Sequence, residues 1–457
     1  MHAPHPIAAG TTATTPRRSR LMLATLCLAV LIAQLDTSVV DLALQPIGHE
    51  FAASVAALQW VIDGYNLVYA VLLLTGGLIA DILGRRLIFI AGAVTFSLAS
   101  LLCALAPDVS VLIAGRVLAG VGAALLIPAS LAIVRVIWPD PIARGHALGI
   151  WAACNGLAFV IGPTLGGLLI ESFGWRSIFL VVIPLGFTAA ALAFARLPES
   201  ADPRGRNIDL PGQIFGALVL GALALAAIEV QHTPLLAGTA LVIACVAGPL
   251  FVMVEHKGGA AALVPLALFR IAAFRASVLA TAAMTFGMYG VLFLQPLIWQ
   301  SSGGLSPTAA GLGLMPMALV FALISPLSGT LSAKIGVRSL TSGGVGLIGC
   351  GLLVLAVADQ NSMTTVQAGL ILAGIGMGLA TGPLFGLAVG AVPAARSGTA
   401  AALINVARMV GATFGIAVLG SVFALAGGGG LRLAMLCGGM VQLAGAAAAW
   451  RAQRRTA

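Results

Sequence analysis

The chain has 457 residues, 60% hydrophobic and 8% charged, with a formal net charge of +9 and a mean hydropathy of +1.09. A soluble domain carries about 25% charged residues, so this composition excludes a water-faced globule and makes the lipid bilayer the main solvent. The basic excess alone would admit a nucleic-acid partner, which the placement of the charges argues against.

Residues 1–20 are rich in Ala, Thr and Pro and are expected to be a disordered cytoplasmic N-terminus. Pro-Arg-Arg-Ser-Arg before Leu21 imitates a leader peptide, but Asp36 interrupts the apolar run and no small-residue cleavage site follows. The first span is expected to stay uncleaved. A span needs about 20 mainly apolar residues. Fourteen segments qualify: 21–44, 58–80, 87–107, 110–137, 144–170, 177–195, 212–230, 235–254, 276–300, 308–332, 339–358, 366–391, 399–424 and 431–450. Their length and their Ala, Leu, Gly and Val content without alternation predict helices, not barrel strands.

The second span runs into 77–86, Gly-Leu-Ile-Ala-Asp-Ile-Leu-Gly-Arg-Arg, and a degraded copy, Gly-Thr-Leu-Ser-Ala-Lys-Ile-Gly-Val-Arg, stands at 329–338. Both keep G-x-[LI]-x-x-x-x-G-x-R and close the second span of a set of six. The polar run 196–211 and the basic connector 255–275 flank the seventh and eighth spans. The parse is a bundle over 21–196, a linker with two extra transmembrane helices over 197–273, a bundle over 274–450 and a cytoplasmic tail over 451–457. The predicted fold class is an all-α membrane protein: fourteen transmembrane helices, two six-helix bundles plus two linker helices.

With the N-terminus inside, only Arg176 and Arg432 of the 23 Lys and Arg fall outside, and Arg116 and Arg408 lie within spans. The basic excess is thus an orientation signal with both termini cytoplasmic, and no nucleic acid is expected. Trp60, Trp138, Trp175, Trp299 and Trp450 lie near span ends and read as interfacial anchors. The six cysteines read as small core residues. Neither they nor the six His have metal-site spacing. There is no Walker A loop and no nucleophile–base set. No cofactor, metal or enzymatic activity is expected.

Ionisable groups inside a bilayer cost about 2.5–3.5 kcal/mol each on insertion scales and need a partner, a cavity or a proton. Asp36 lies about 22 Å up the first span at 1.5 Å per residue. Asp63 and Arg116, on the descending second and fourth spans, fall at a similar depth. The three are expected to form a protonation site, in which movement of the arginine switches the acid's affinity for a proton. The competing reading is a static ion pair that fixes packing. Asp41 is expected nearer the surface, snorkelling to water. Phe286, Tyr289 and Phe293 make an aromatic face on the ninth span, and Tyr65, Asn66 and Tyr69 lie on the second. All six are candidates to line a substrate cavity, or simply to pack. Asp81 sits at a helix C-terminus and needs a positive partner.

At this point the residues resemble a known family. The chain is similar to the major facilitator superfamily, and within it to the fourteen-span drug:proton antiporters. Gly77, Asp81, Gly84, Arg85 and Arg86 match the superfamily's loop motif, with Ile82 where a basic residue is usual. Arg116 opens Arg-Val-Leu-Ala-Gly-Val-Gly-Ala-Ala, similar to the second motif with Ala119 for the usual Gln. Gly156, Gly162, Pro163, Gly166 and Gly167 match the antiporter motif of the fifth span. Residues 35–44 resemble the subgroup's first-span motif, with Asp41 where Asn is common. Trp175, Arg176, Pro184 and Gly186 fit a further motif that lacks its Asn at Val182.

The resemblance implies proton-coupled efflux of small amphipathic drugs or antibiotics across the cell inner (cytoplasmic) membrane by alternating access. It also implies an antiport role for the glycine run and a cytoplasmic gate latch at Asp81. The expected partners are the substrate, protons and lipid, with the chain monomeric. The alternatives are an exporter of a single endogenous metabolite and a transport-dead sensor of the same fold.

Overall fold

The computed structural model describes residues 16–201, 209–230, 233–258, 262, 264–301, 304–359, 362–393, 396–426 and 429–454. These form fifteen α-helices and no strand. They are α1 (Pro16–Phe51), α2 (Val55–Leu83), α3 (Arg85–Ala104), α4 (Val109–Ile137), α5 (Pro141–Phe173), α6 (Ser177–Arg196), α7 (Leu210–Glu229), α8 (Pro234–Gly258), α9 (Ala272–Ser301), α10 (Pro307–Ile324), α11 (Ser328–Ile335), α12 (Val337–Val357), α13 (Met363–Gly390), α14 (Ser397–Leu425) and α15 (Gly430–Arg454). Among the described residues, thirteen stretches are helical, long and apolar enough to cross a membrane, and Leu157–Phe173 of α5 is a shorter apolar one.

Local chemistry sets the ends. Ser54, Asp108, Asp140, Asp209 and Ser306 each cap a helix by accepting from amides of its first turn. Pro141, Pro211 and Pro307 follow their caps at positions where a missing N–H costs nothing. The two copies of the charged turn share one backbone solution: a single glycine separates helices, Gly84 at φ 117° and Gly336 at φ 86°. Such angles are open to glycine because it has no Cβ to clash.

Several boundaries differ from expectation. α1 starts at Pro16, so 16–20 are helical; residues 1–15 lie outside the described residues. α1 also runs on to Phe51, beyond the predicted end at 44, because Pro46 leaves the helix unbroken. The tenth span is one apolar stretch, Pro307–Ile335, divided at a 3-10 turn, Ser325–Leu327, where Pro326 removes a donor and crowds the residue before it. α15 continues to Arg454, into the expected tail, and 455–457 lie outside the described residues, as do Arg204 and Arg206 of the linker. Trp175 and Trp299 are buried in protein. Cys245 and Cys350 are exposed on helix surfaces, not in the core.

The packing repeats. Among the first six helices, α2 packs on α4, α3 on α4 and α6, and α1 on α5 and α6. Among the last, α10 packs on α13, α12 on α13 and α15, and α9 on α14 and α15. The second set of pairs has the order of the first. α7 and α8 pack on each other, and α7 rests on α2 and α14.

Between the sets, α5 meets α10, α2 meets α14, and α1 meets α9. Gln59 Nε2 donates to the Ile416 and Ala417 carbonyls at 2.8 and 2.9 Å, and Gln300 Nε2 donates to the Leu42 carbonyl at 3.1 Å. Phe159 and Phe321 stack edge-on at 5.6 Å. These contacts run from mid-height to the end of the molecule that carries the α1–α2 turn. That end is closed.

Candidate functional site

Asp36 on α1 and Arg116 on α4 form the most deeply buried ion pair among the described residues. Arg116 Nη1 lies 2.6 Å from Asp36 Oδ2, with the side chains 1% and 2% exposed. Arg116 Nε donates to the Val61 carbonyl on α2 at 3.0 Å. The guanidinium plane lies 4.7 Å from the Tyr65 ring centre and 5.9 Å from that of Phe179 on α6. The fork is thus held by a carboxylate, a carbonyl and aromatic faces, the partners a planar cation can use without water. A crevice too narrow to admit water, lined by Leu35, Asp36, Val39, Val40, Leu169, Ile178 and Val181, lies beside the acid between α1, α5 and α6.

Asp63 does not join this pair. Val61 and Tyr65 point toward Arg116, and Asp63 lies two residues from each, about 200° around a helix of 3.6 residues per turn. Asp63 and Asn66 are both 0% exposed, and neither the carboxylate oxygens nor the carboxamide has a hydrogen-bond partner. Asp41 is also buried, at 5% exposure. It does not snorkel, because α1 continues past it to Phe51.

The six candidate cavity residues are distributed between α2 and α9, with Tyr69 and Tyr289 both close to Arg408 of α14. Tyr65 backs Arg116 and stacks near Tyr69 at 5.9 Å. Phe293 is buried against the position of Gly420 at the α2–α14 contact. Phe286 and Tyr289 are half-buried. α1, α10 and α12 to α15 surround α9, enclosing Phe293 and leaving Phe286 and Tyr289 partly exposed.

The glycine run of α5 serves two neighbours. A Cβ on Gly162 would overlap Ser38 Oγ, and one on Gly166 would overlap Val39, both on α1. Gly167 faces the Pro307 carbonyl, and the Pro163 carbonyl occupies the place a Cβ on Gly311 would take, so here α5 meets α10. Small residues permit this approach of backbones. Gly156 lies on the same helix.

At the charged turn, Arg85 Nη2 sits 2.8 Å from Asp81 Oδ1. Gly77 packs on Pro128 of α4. Glu199, beyond α6, accepts from the Arg86 and Leu87 amides at 3.0 and 3.1 Å, and Arg86 Nε lies 3.6 Å from it. Arg85 N–H donates to the Ser200 carbonyl at 2.9 Å. The partners named here all belong to α2, α3, α4 and the chain after α6. Glu199→Ala should remove the cap of α3 and cost about 0.5–2 kcal/mol, read as a lower melting temperature of the purified protein with Asp36→Asn-sensitive transport retained.

Sequence reasoning passed over Glu199, Gln59 and Gln213. Gln213 of α7 bonds the Thr75 hydroxyl and, at 2.6 Å, the Val71 carbonyl of α2. The signal was available for two of them: Gln59 and Gln213 are polar amides inside apolar runs, where an amide without a partner is costly. No cluster of three or more His, Cys, Asp and Glu stands together among the described residues.

Comparison with known proteins follows from this geometry. The family model described as Major Facilitator Superfamily matches residues 26–416. "Multidrug resistance protein Stp" of Mycobacterium tuberculosis is 36% identical over 393 residues, 85% of this chain and 73% of that protein. "Multidrug efflux pump LfrA" of Mycolicibacterium smegmatis is 33% identical over 416 residues, 90% and 82% of the two chains. "Methylenomycin A resistance protein" of Streptomyces coelicolor is 31% identical over 447 residues, 95% and 92%. Among solved structures, a bacterial homologue of the human lysosomal transporter Spinster, in an inward-facing and unoccupied conformation, superposes with a TM-score of 0.71 at 20% identity, covering 96% of this chain and 98% of that one. At that identity the likeness speaks for the fold.

Proposed function

This chain belongs to the Major Facilitator Superfamily, and on that premise we propose that it exports small amphipathic drugs or antibiotics across the cytoplasmic membrane in exchange for protons. Fourteen spans form two six-helix bundles, 21–196 and 274–450, joined by a linker, 197–273, that carries two extra helices. The repeated packing order of the two helix sets supports this division. Both termini lie in the cytoplasm, as the Lys and Arg distribution requires. The closed end is then the outer one, and the bundles rock about it as a monomer to give alternating access.

The observation that carries the coupling is the Asp36–Arg116 pair, buried between α1 and α4 and sealed from water. A carboxylate so placed is released from its arginine only when the bundle rearranges, and then takes a proton. Each charge moved inward gains about 2.3 kcal/mol per 100 mV. The glycine run of α5 keeps the outer contact close-packed, which suits antiport because a leak there would dissipate the gradient. Asp81, Gly84, Arg85 and Arg86 brace the cytoplasmic turn.

The experiment is drug-induced proton release from energised everted vesicles, read with a pH-sensitive dye against a panel of cationic and neutral compounds. Release on addition of several compounds is expected. No response to any compound, with insertion verified, would favour a transport-dead sensor. The likeness to a resistance protein for one antibiotic along nearly the whole of both chains favours a second reading, export of a single compound. A response confined to one member of the panel would select it.

A further inference from the structure

The orphan face of α2 has an address. Gln59, Asp63, Asn66 and Ala70 fall within one 60° stripe of a helix with 3.6 residues per turn. Gln59 is bonded to the Ile416 and Ala417 carbonyls of α14 and fills the place beside Gly420. Further along, Tyr69, Ala70 and Leu73 share a buried apolar cluster with Met409. The two helices are therefore antiparallel, and one turn inward from Gln59 brings Asp63 to the level of Thr413. Thr413 is itself buried at 1% exposure and its hydroxyl has no partner. A carboxyl, a carboxamide and a hydroxyl, all unpartnered, thus face one closed seam between the two helix sets.

We infer that Asp63, Asn66 and Thr413 form a second ion site at the α2–α14 seam, separate from the Asp36–Arg116 pair, and that the seam closes only while Asp63 holds a proton. The inference rests on the alternating-access reading above and adds a regulated outer gate to it. An ionised carboxylate enclosed with no cation beside it, and bonded to neither the Asn66 amide nor the Thr413 hydroxyl, is too costly to persist. A neutral acid can be enclosed, and it brings a hydroxyl donor to the seam that the Asn66 and Thr413 oxygens also face. When α2 and α14 part, outside water reaches Asp63 and the proton can leave.

The charged and titratable groups on the helices around α2 do not neutralise it by contact. Asp36 and Arg116, on α1 and α4, are engaged with each other behind α2. Asp41 is buried on α1. Cys103 on α3 donates to the Leu112 carbonyl at 3.8 Å. Glu229 on α7 accepts from Trp60 at 3.4 Å and from Thr233 at 3.0 Å. Arg408 lies beyond Thr413 on α14, with its Nε unpartnered.

The test is a distance. Spin labels at Val55 and Leu425, which end α2 and α14 at the closed side, report the seam by electron–electron resonance in lipid nanodiscs without drug or gradient. As pH rises, the short-distance population of the otherwise native protein should fall relative to the long one, by up to about tenfold per pH unit, the limit for one proton. Asp63→Asn should stay short at every pH, and Asp63→Ser is a second neutral variant. Asp36→Asn should keep the response. A seam that ignores pH overturns the inference, as does one that still titrates without the Asp63 carboxyl. Closure by Na⁺ at fixed pH would also overturn it, in favour of a sodium site. Loss of drug-driven proton release with the seam still titrating would instead sink the exchange reading.

Discussion

Removing one member of the buried pair, in Arg116→Met or Asp36→Leu, should destabilise the protein by about 3–5 kcal/mol, because it strands a charge where water cannot reach. The double variant Asp36→Leu/Arg116→Met should recover most of that loss, since well-packed apolar residues of similar volume replace buried ion pairs at little cost. Thermal unfolding in detergent measures the cycle, and its non-additivity isolates the pairwise interaction. Transport separates structure from coupling. All three variants should lose drug-driven proton release in everted vesicles, and the stable double variant decides the matter. If it exchanges protons for drug at the wild-type rate, the pair is a packing device and the proton has another carrier. The geometry argues for coupling because Arg116 has alternative partners already in place, the Val61 carbonyl and the Tyr65 face.

Gly311→Ala should shift the balance between closed and open states without weakening either helix set. Its Cβ would fall on the Pro163 carbonyl, so α5 and α10 must separate at the closed end. Overpacking of this kind costs about 1–3 kcal/mol, equivalent to about 5- to 150-fold in a two-state ratio. Gly162→Ala is the control, because its Cβ meets Ser38 within the first set of helices and should lower stability while leaving the state balance alone. Maleimide labelling of a single cysteine at Thr308, in a background without the six native cysteines, measures the exposure of the seam. Equal labelling rates in Gly311→Ala and wild type would mean that the α5–α10 contact does not gate access.

The charged turns show what local sequence carries well. Gly84 and Gly336 are each followed at once by a new helix, and a one-residue turn at positive φ leaves glycine as the natural choice. Both turns were readable as copies because the constraint acts within ten residues. Glu199 was not readable as the cap of α3, because it arrives from beyond α6 and nothing near 85–87 announces it. Trp175 shows the same limit. Its position at a span end suits an interfacial anchor, yet it donates to Glu50 at 2.6 Å and stacks near Phe51 and Phe179.

Composition and periodicity by themselves determined that the chain is helical and lives in lipid, that most of its helices are long and apolar enough to cross, and that Asp36 and Arg116 cannot stand alone there. Those follow from solvation, which each residue feels whatever its neighbours are. Only the tertiary structure decided which buried groups meet. Depth along a helix can be counted from its ends, but rotation about its axis is set by packing against other helices. For α2 that rotation points Val61 and Tyr65 at Arg116 and turns Asp63 and Asn66 toward α14, separating three ionisable groups of similar depth into a pair and a solitary acid.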